Sequence, residues 1–440
     1  MNFIGLFDII YWELNVYYLQ PNIFKNLKNI KKVCKKWNLY FVFDKIIRLN
    51  INTNEIISNG KIFSLKNLNN IKYLNFNENN YISDLNFCES LLYLHCENTY
   101  INENFSIFCK KKQTENCANM QFYPETLDYL EELHCLWCTN LTKIPNIKTL
   151  KKLNCGETNI SEIPESLVCL KELNCDSCYN LKKIPNIKTL KKLNCGETNI
   201  SEIPESLVCL KELICDFCYN LKKIPEIKTL KKLNCGDTNI SEIPETLNCL
   251  EELYCNDCKN LIKIFEIKTL KKLNCWNTNI SEIPETLDCL EELNCYRCNN
   301  LIKIPNIKTL KKLYCGRTKI SEIPETLNCL EELNCNKCKN LIKIPNIKTL
   351  KKLYCGYTNI SEIPEIFEYL EELDCSDCKK LTKIPNIKTL KKLDCNRTKV
   401  IKIPKLLHNL EELHCNENIE IPILSLLNLR CVNYKFLFYY

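Results

Sequence analysis

The sequence predicts a β-rich solenoid, a chain wound into stacked rungs whose short strands align in a parallel sheet. Three observations carry this. A 20-residue unit recurs without insertion or deletion from residue 130 to about residue 410, with fifteen successive starts. Each unit opens Leu-x-x-Leu-x-Cys or a close variant, the apolar/polar alternation of a short strand buried on one face. Each unit also holds too few apolar residues to fold alone, so it must bury them against its neighbours.

The units come in pairs. LKELNCDSCYNLKKIPNIKT (170–189) is followed by LKKLNCGETNISEIPESLVC (190–209), and this couplet repeats through the array. The first kind of unit is acidic, with Glu-Glu or Lys-Glu after its opening leucine; the second is basic, with Lys-Lys. In the strand, Leu173 and Cys175 point inward and Asn174 outward. The second half, as in Ile-Pro-Asn-Ile-Lys-Thr, is short and contains a proline that cannot donate a hydrogen bond. It predicts extended or 3₁₀ segments rather than α-helix on the outer side.

Weaker units flank the regular run. Ile46-Leu49-Ile51-Asn54, Ile71-Leu74-Phe76-Asn79 and Leu91-Leu94-Cys96-Thr99 repeat the spacing before it, and Leu426-Leu429-Cys431 after it. The total is about nineteen rungs, an arc of about 90 Å at ~4.8 Å per strand. The organisation is therefore a head over 1–45, a degenerate array over 46–129 with an insertion at 102–122, a regular array over 130–425 and a last rung over 426–440. The insertion, with Lys110, Lys111 and Lys112, is expected to be a surface loop. Phe265 stands where the other acidic units carry proline.

This pattern, L-x-x-L-x-C-x-x-[C/T] followed by [L/I]-x-x-I-P, resembles the leucine-rich-repeat family. The resemblance implies an α/β-class horseshoe, here β-rich, with a concave parallel sheet that binds other proteins. The sameness of the repeats and their Asn/Ile/Lys richness also resemble repeat proteins of giant DNA viruses of amoebae, which would place the chain in a host cytosol.

The chain holds 33 cysteines among 440 residues. Seven Cys-x-x-Cys pairs, from Cys135/Cys138 to Cys375/Cys378, recur every 40 residues. One such pair would suggest zinc or a redox site. A pair locked to the repeat period is better read as core, with the first cysteine inward and the second closing the turn after the strand. No metal or other cofactor is expected. So many neighbouring thiols also favour a reducing, cytoplasmic compartment.

A net charge of +7 is a weak bias. Glu and Lys rows alternate between units and are expected to neutralise one another across strands, so nucleic acid is not the expected partner. No uninterrupted apolar run in the sequence is long enough for a membrane-spanning helix, so no membrane partner is expected. With four histidines, no nucleophile–base constellation and no Gly-rich phosphate loop, an enzyme is not expected.

The repeats supply their own comparison. Within the couplet most positions barely change, but the outward strand position and the two residues after the strand cysteine vary widely. The variable set includes Trp137, Phe217, Tyr254, Trp276, Tyr296, Arg297, Tyr314, Arg317, Tyr354, Tyr357 and Arg397. Trp, Tyr and Arg are the side chains that dominate protein interfaces, so these are the candidate protein-binding residues.

Residues 1–45 do not follow the repeat. Apolar residues at helical spacing on both sides of Pro21 predict two helices. Leu19-Gln20-Pro21 and Val33-Cys34-Lys35-Lys36-Trp37 resemble the F-box motif. That resemblance implies that Leu19, Pro21, Leu27, Val33 and Trp37 dock a Skp-family adaptor of a cullin ubiquitin ligase. The alternative is a helical cap over the first rung, and a free-standing binding scaffold.

Overall fold

The computed structural model describes residues 129–422 except 140, residue 429, and the backbone of short strands on either side of that stretch. The chain divides into two compact units, Met1–Cys218 and Tyr219–Tyr440.

In the first unit the regular array supplies strands Glu132–His134, Lys152–Asn154, Glu172–Asn174, Lys192–Asn194 and Glu212–Ile214. Each pairs in parallel with the next in chain order, leucine opposite leucine, as Leu153 is opposite both Leu133 and Leu173. The same sheet runs back through Tyr93–His95, Ile71–Asn75 and Leu39–Val42. In the second unit, ten strands from Lys232–Asn234 to Glu412–His414 repeat the arrangement, and Cys431–Val432 adds to the last. Within the regular array the pairing has no slips, because the repeat there has no insertions. A shift of one residue would turn every inward leucine to solvent. The parallel, leucine-rich-repeat-like solenoid that the period predicts is the observed fold.

Each rung closes around its own apolar ring. In the unit beginning at Leu250, the side chains of Leu250, Leu253, Cys255, Cys258 and Leu261 are fully buried, with Ile264 and Ile267 nearly so. Full burial stabilises each leucine or isoleucine by about 1.5–3 kcal/mol. The stack therefore rests on many small, identical contributions.

The return segments are extended, one of the two expected forms. Among the described residues there is neither α- nor 3₁₀-helix. The chain is extended and then turns, with the Ile147 amide donating to the Pro145 carbonyl (3.0 Å) and that of Leu150 to Ile147 (3.2 Å). In basic rungs the proline carbonyl instead accepts the amide three residues on, as Pro164 does from Leu167 at 3.3 Å, but no run of successive i→i+3 bonds follows to make a 3₁₀ helix. Phe265 keeps this backbone, its carbonyl accepting from Ile267 at 3.0 Å, while Lys263 covers its ring at 4.3 Å.

Two expectations before residue 130 change. The two helices expected around Pro21 lie outside the described residues, and Leu39–Val42, past them, is a strand. Ile47–Asn50, taken from spacing as the first rung, instead pairs antiparallel with Glu55–Ser58, which pairs antiparallel with Lys61–Ser64. The dipeptide Asn59-Gly60 between the last two is the strongest short hairpin signal. The insertion is not all loop, because Ile101–Ser106 is a strand paired with Ile82–Asp84.

The turn after each strand differs between the two kinds of rung. In acidic rungs the carbonyl of the strand cysteine accepts a backbone amide, as Cys255 does from Cys258 (3.4 Å). In basic rungs it accepts two side chains: Thr238 Oγ1 donates to the Cys235 carbonyl at 2.7 Å, and Cys258 Sγ of the next rung donates to it at 3.0 Å. The same trio recurs at Thr158, Thr198, Thr278, Thr318 and Thr358. A buried carbonyl left without a donor is costly, and here threonine and cysteine alternate to supply donors. Thr238→Val keeps the shape and removes the hydroxyl, and is expected to lower stability by about 1 kcal/mol in urea unfolding, whereas Thr238→Ser is near neutral. Equal stability of the valine variant and wild type would contradict this.

Candidate functional site, the outward face of the sheet

The third and fifth positions of each rung lie on the outward face of the sheet and the fourth is buried, as in Glu252, Leu253 and Tyr254. Where the fifth residue is Asn or Asp, its oxygen caps the turn. Asn194 Oδ1 accepts the Gly196 amide at 3.2 Å, Asn294 that of Tyr296 at 3.2 Å, and Asp374 that of Ser376 at 2.9 Å. This is an Asx turn. The preference for asparagine at this outward position therefore has a structural cause.

The two residues after the strand cysteine extend the ladder and are not free loop. The amide of the eighth residue donates to the carbonyl of the seventh residue of the next rung, as Trp137 to Gly156 (3.0 Å) and Arg317 to Asn336 (2.8 Å). The eighth residue is also left-handed in fourteen rungs, from Trp137 (φ 61°) to Arg397 (φ 55°), and none of these is glycine. Such a backbone costs a non-glycine residue about 1–3 kcal/mol and persists only where surrounding bonds enforce it. Sequence reasoning identified these positions as variable but missed their conformation. No glycine marks it.

This geometry presents the predicted residues as follows. Trp137, Phe217, Arg297, Arg317, Tyr357 and Arg397 occupy left-handed eighth positions. Trp276 and Tyr296 occupy seventh positions, and Tyr254, Tyr314 and Tyr354 stand on the strands. Trp137 and Phe217 belong to the first unit, and the others to the second. Trp137 and Tyr357 are each 45% exposed.

Several of these side chains are held in place. Tyr354 Oη donates to Glu372 at 2.6 Å and Tyr254 Oη to Glu252 at 3.2 Å. Burial, with nearby carboxylates, pushes the phenols of Tyr314 and Tyr354 well above their usual range. The Tyr296 ring lies so close over Gly316 that a Cβ there would meet it at 2.8 Å, and Arg297 lies 5.8 Å from the same ring. Arg297 Nε is buried with no hydrogen-bond partner among the described residues. Lys337 lies over Tyr357 at 4.9 Å, and Arg397 meets Asp377 at 3.6 Å. Leu19, Pro21, Leu27, Val33 and Trp37 lie outside the described residues.

Charge rows border the face. In the second unit, Glu251 bridges Lys231 (2.9 Å) and Lys271 (2.8 Å), and Lys311, Lys351 and Lys391 each reach the glutamate of the preceding rung. The hydrogen bonds from Lys271 and Lys231 hold the Glu251 carboxyl down at about 2. All these pairs are substantially exposed, so each contributes little to stability.

The first unit carries a feature built where the outward strand position keeps its commonest residue, asparagine. A groove of about 300 Å³ crosses its sheet face, with Asn154, Asn174 and Asn194 on its floor and Lys152, Glu172 and Lys192 beside them. Asn174 Nδ2 donates to Asn154 Oδ1 at 3.1 Å, so the floor is itself a short amide ladder.

The cysteines sort by position. Strand and turn cysteines are buried, while Cys169, Cys209, Cys249, Cys289 and Cys329 are exposed. Burial pushes the thiols of Cys155, Cys175 and Cys195 well above their ordinary range. Among the described residues no group of three or more His, Cys, Asp or Glu is placed to hold a metal ion.

Solved structures share this fold. YopM from Yersinia enterocolitica aligns over 98% of this chain and 97% of its own, with a TM-score of 0.62 and 18% identity. A leucine-rich-repeat protein of Leptospira interrogans aligns over 84% and 96%, with a TM-score of 0.59 and 18% identity. The functional domain of InlJ from Listeria monocytogenes, which includes a cysteine ladder, aligns over 66% and 69%, with a TM-score of 0.59 and 23% identity. The fold is thus a parallel β-solenoid resembling those of leucine-rich-repeat proteins. No family model matches the sequence, and no curated protein matches it.

Brief labelling of the native protein with a maleimide, followed by peptide mapping, is expected to modify Cys169, Cys209, Cys249, Cys289 and Cys329 first. Cys175, Cys255 and Cys335 should label only after unfolding. Equal labelling of both sets would contradict the placement of the strand cysteines in the core.

Proposed function

We propose that the chain is a non-enzymatic binding scaffold that holds a protein partner on the outward face of its sheet. One observation carries this reading. In the second unit, Tyr254, Tyr296, Arg297, Tyr314, Tyr354 and Tyr357 gather on a surface whose backbone is hydrogen-bonded from rung to rung. Such a surface loses little conformational entropy on binding, and Tyr and Arg are the side chains that concentrate binding energy. The free, closely stacked thiols support a reducing compartment as the place of action.

Photo-crosslinking tests the face. A crosslinking amino acid at Tyr314 is expected to capture a discrete protein in producing cells, and the same group at Asn346, on a return segment, is not. Equal capture from Asn346 would contradict the proposal.

The finer reading is that residues 1–45 connect this scaffold to a cullin-type ligase through the F-box-like residues Leu19, Pro21, Leu27, Val33 and Trp37. It rests on the sequence match alone. Co-purification of a Skp-family adaptor with the wild-type chain, lost in Val33→Asp/Trp37→Ala, is the expected result. No adaptor with either chain would leave the free-standing scaffold as the reading.

A further inference from the structure

The charge ladder is broken in one place. In the second unit, the residue after the opening leucine alternates between Lys and Glu, and its lysines are paired. In the first unit, Lys171 and Lys211 stand where the other acidic rungs of the regular array carry glutamate. Four successive rungs therefore present Lys151, Lys171, Lys191 and Lys211 at the leading end of their strands. Their backbones are joined directly, Lys171 to Lys151 at 2.8 Å, Lys191 to Lys171 at 2.7 Å and Lys211 to Lys191 at 2.8 Å. The row is therefore about 14 Å long at ~4.8 Å per step. Lys151 is paired with Glu131 at 2.5 Å. Lys171, Lys191 and Lys211 are exposed and make no ion pair among the described residues. Like charges on neighbouring strands oppose folding, and a bound anion relieves that.

The surroundings restrict what fits. One residue further along, Lys152 and Lys192 alternate with Glu172 and Glu212 on the groove wall. Past the strands lie Glu157, Asp176, Glu197 and Asp216, where burial and then the neighbouring Glu197, Asp216 and Glu157 carboxylates raise the Asp176 pKa. The unit is thus positive along one side of the groove and negative along the other, five or six residues apart and so at most about 17–20 Å at ~3.3 Å per residue, less where the chain turns after the strand. A nucleic-acid duplex would bring phosphates against the acidic side. A helix, about 10–12 Å across, fits between the two rows. Its acidic residues at i, i+4, i+7 and i+11 would span about 16 Å at 1.5 Å rise, close to the length of the lysine row.

We infer that the first unit docks a charged helical segment of a protein along this groove, its acidic stripe on Lys151, Lys171, Lys191 and Lys211 and its basic stripe on the opposite carboxylates. This rests on the sheet-face binding reading and names the partner's chemistry. The opposed rows also fix the direction in which the helix can be rotated about its axis, so binding depends on the pattern of charge and not on net charge.

The test uses the full chain and a labelled synthetic helical peptide with Glu at i, i+4, i+7 and i+11 and Lys on the opposite side. Fluorescence anisotropy is expected to show saturable binding that weakens with added salt. Lys171→Glu/Lys211→Glu restores the alternation of the second unit, so folding should be preserved, and it should weaken binding on the order of tenfold or more. Lys171→Gln/Lys211→Gln should weaken it less, and Lys348→Glu/Lys388→Glu, of equal charge change in the second unit, should leave it intact. Unchanged binding by the restoring variant, equal loss in the Lys348/Lys388 control, equal affinity for a charge-scrambled peptide, or tighter binding of a single-stranded oligonucleotide through the same lysines would each overturn the inference. Failure here with face-specific crosslinking at Tyr314 intact would remove the lysine row and leave the sheet-face reading standing.

Discussion

The turn that follows each strand is the constraint on which both units depend. It must take the chain out of the sheet in three residues while keeping every buried polar group bonded. The fold does this by continuing the rung-to-rung hydrogen bonds past the strand, through the sixth and eighth residues. The eighth residue then has to be left-handed. The outward asparagines cap the same turn, and threonine and cysteine seal its inner side. Once the turn is fixed, the inward direction of the leucines and the spacing of the outward side chains follow.

This arrangement separates stability from recognition. The inner side chains hardly vary, because a stack of identical rungs rewards one shape repeated in register. The seventh and eighth residues can vary because their backbone bonds, and not their side chains, hold the turn. Trp137, Glu157, Ser177, Arg297 and Tyr357 thus occupy one backbone conformation. The scaffold offers a row of rigid, interchangeable mounts, of the kind that suits selective binding. The two units use them differently. The second presents aromatic and arginine side chains, while the first has an amide-floored groove between opposed rows of charge.

Much of this was legible in the sequence because period and alternation report directly on burial. Leu173 and Cys175 inward, Asn174 outward, the pairing of glutamate with lysine rows and the core role of Cys-x-x-Cys all follow from spacing. What escaped depends on backbone conformation or on contacts between units of different kinds. The left-handed eighth residue carries no glycine to mark it. The apolar spacing at residues 46–54 resembles a rung, yet Ile47–Asn50 belongs to an antiparallel meander that Asn59-Gly60 signals and the period hides. The groove escaped because Asn154, Asn174 and Asn194 are the commonest residue at a varied position, and only their assembly across strands makes a cavity.

The central claim is that the variable residues stand on laddered backbone, and native-state hydrogen exchange tests it most directly. The amides of Glu157, Asp257, Arg317 and Tyr357 should exchange as slowly as those of the strand cysteines beside them. Exchange at the rate of exposed turn amides, with the strand cysteine amides still protected, would contradict the account.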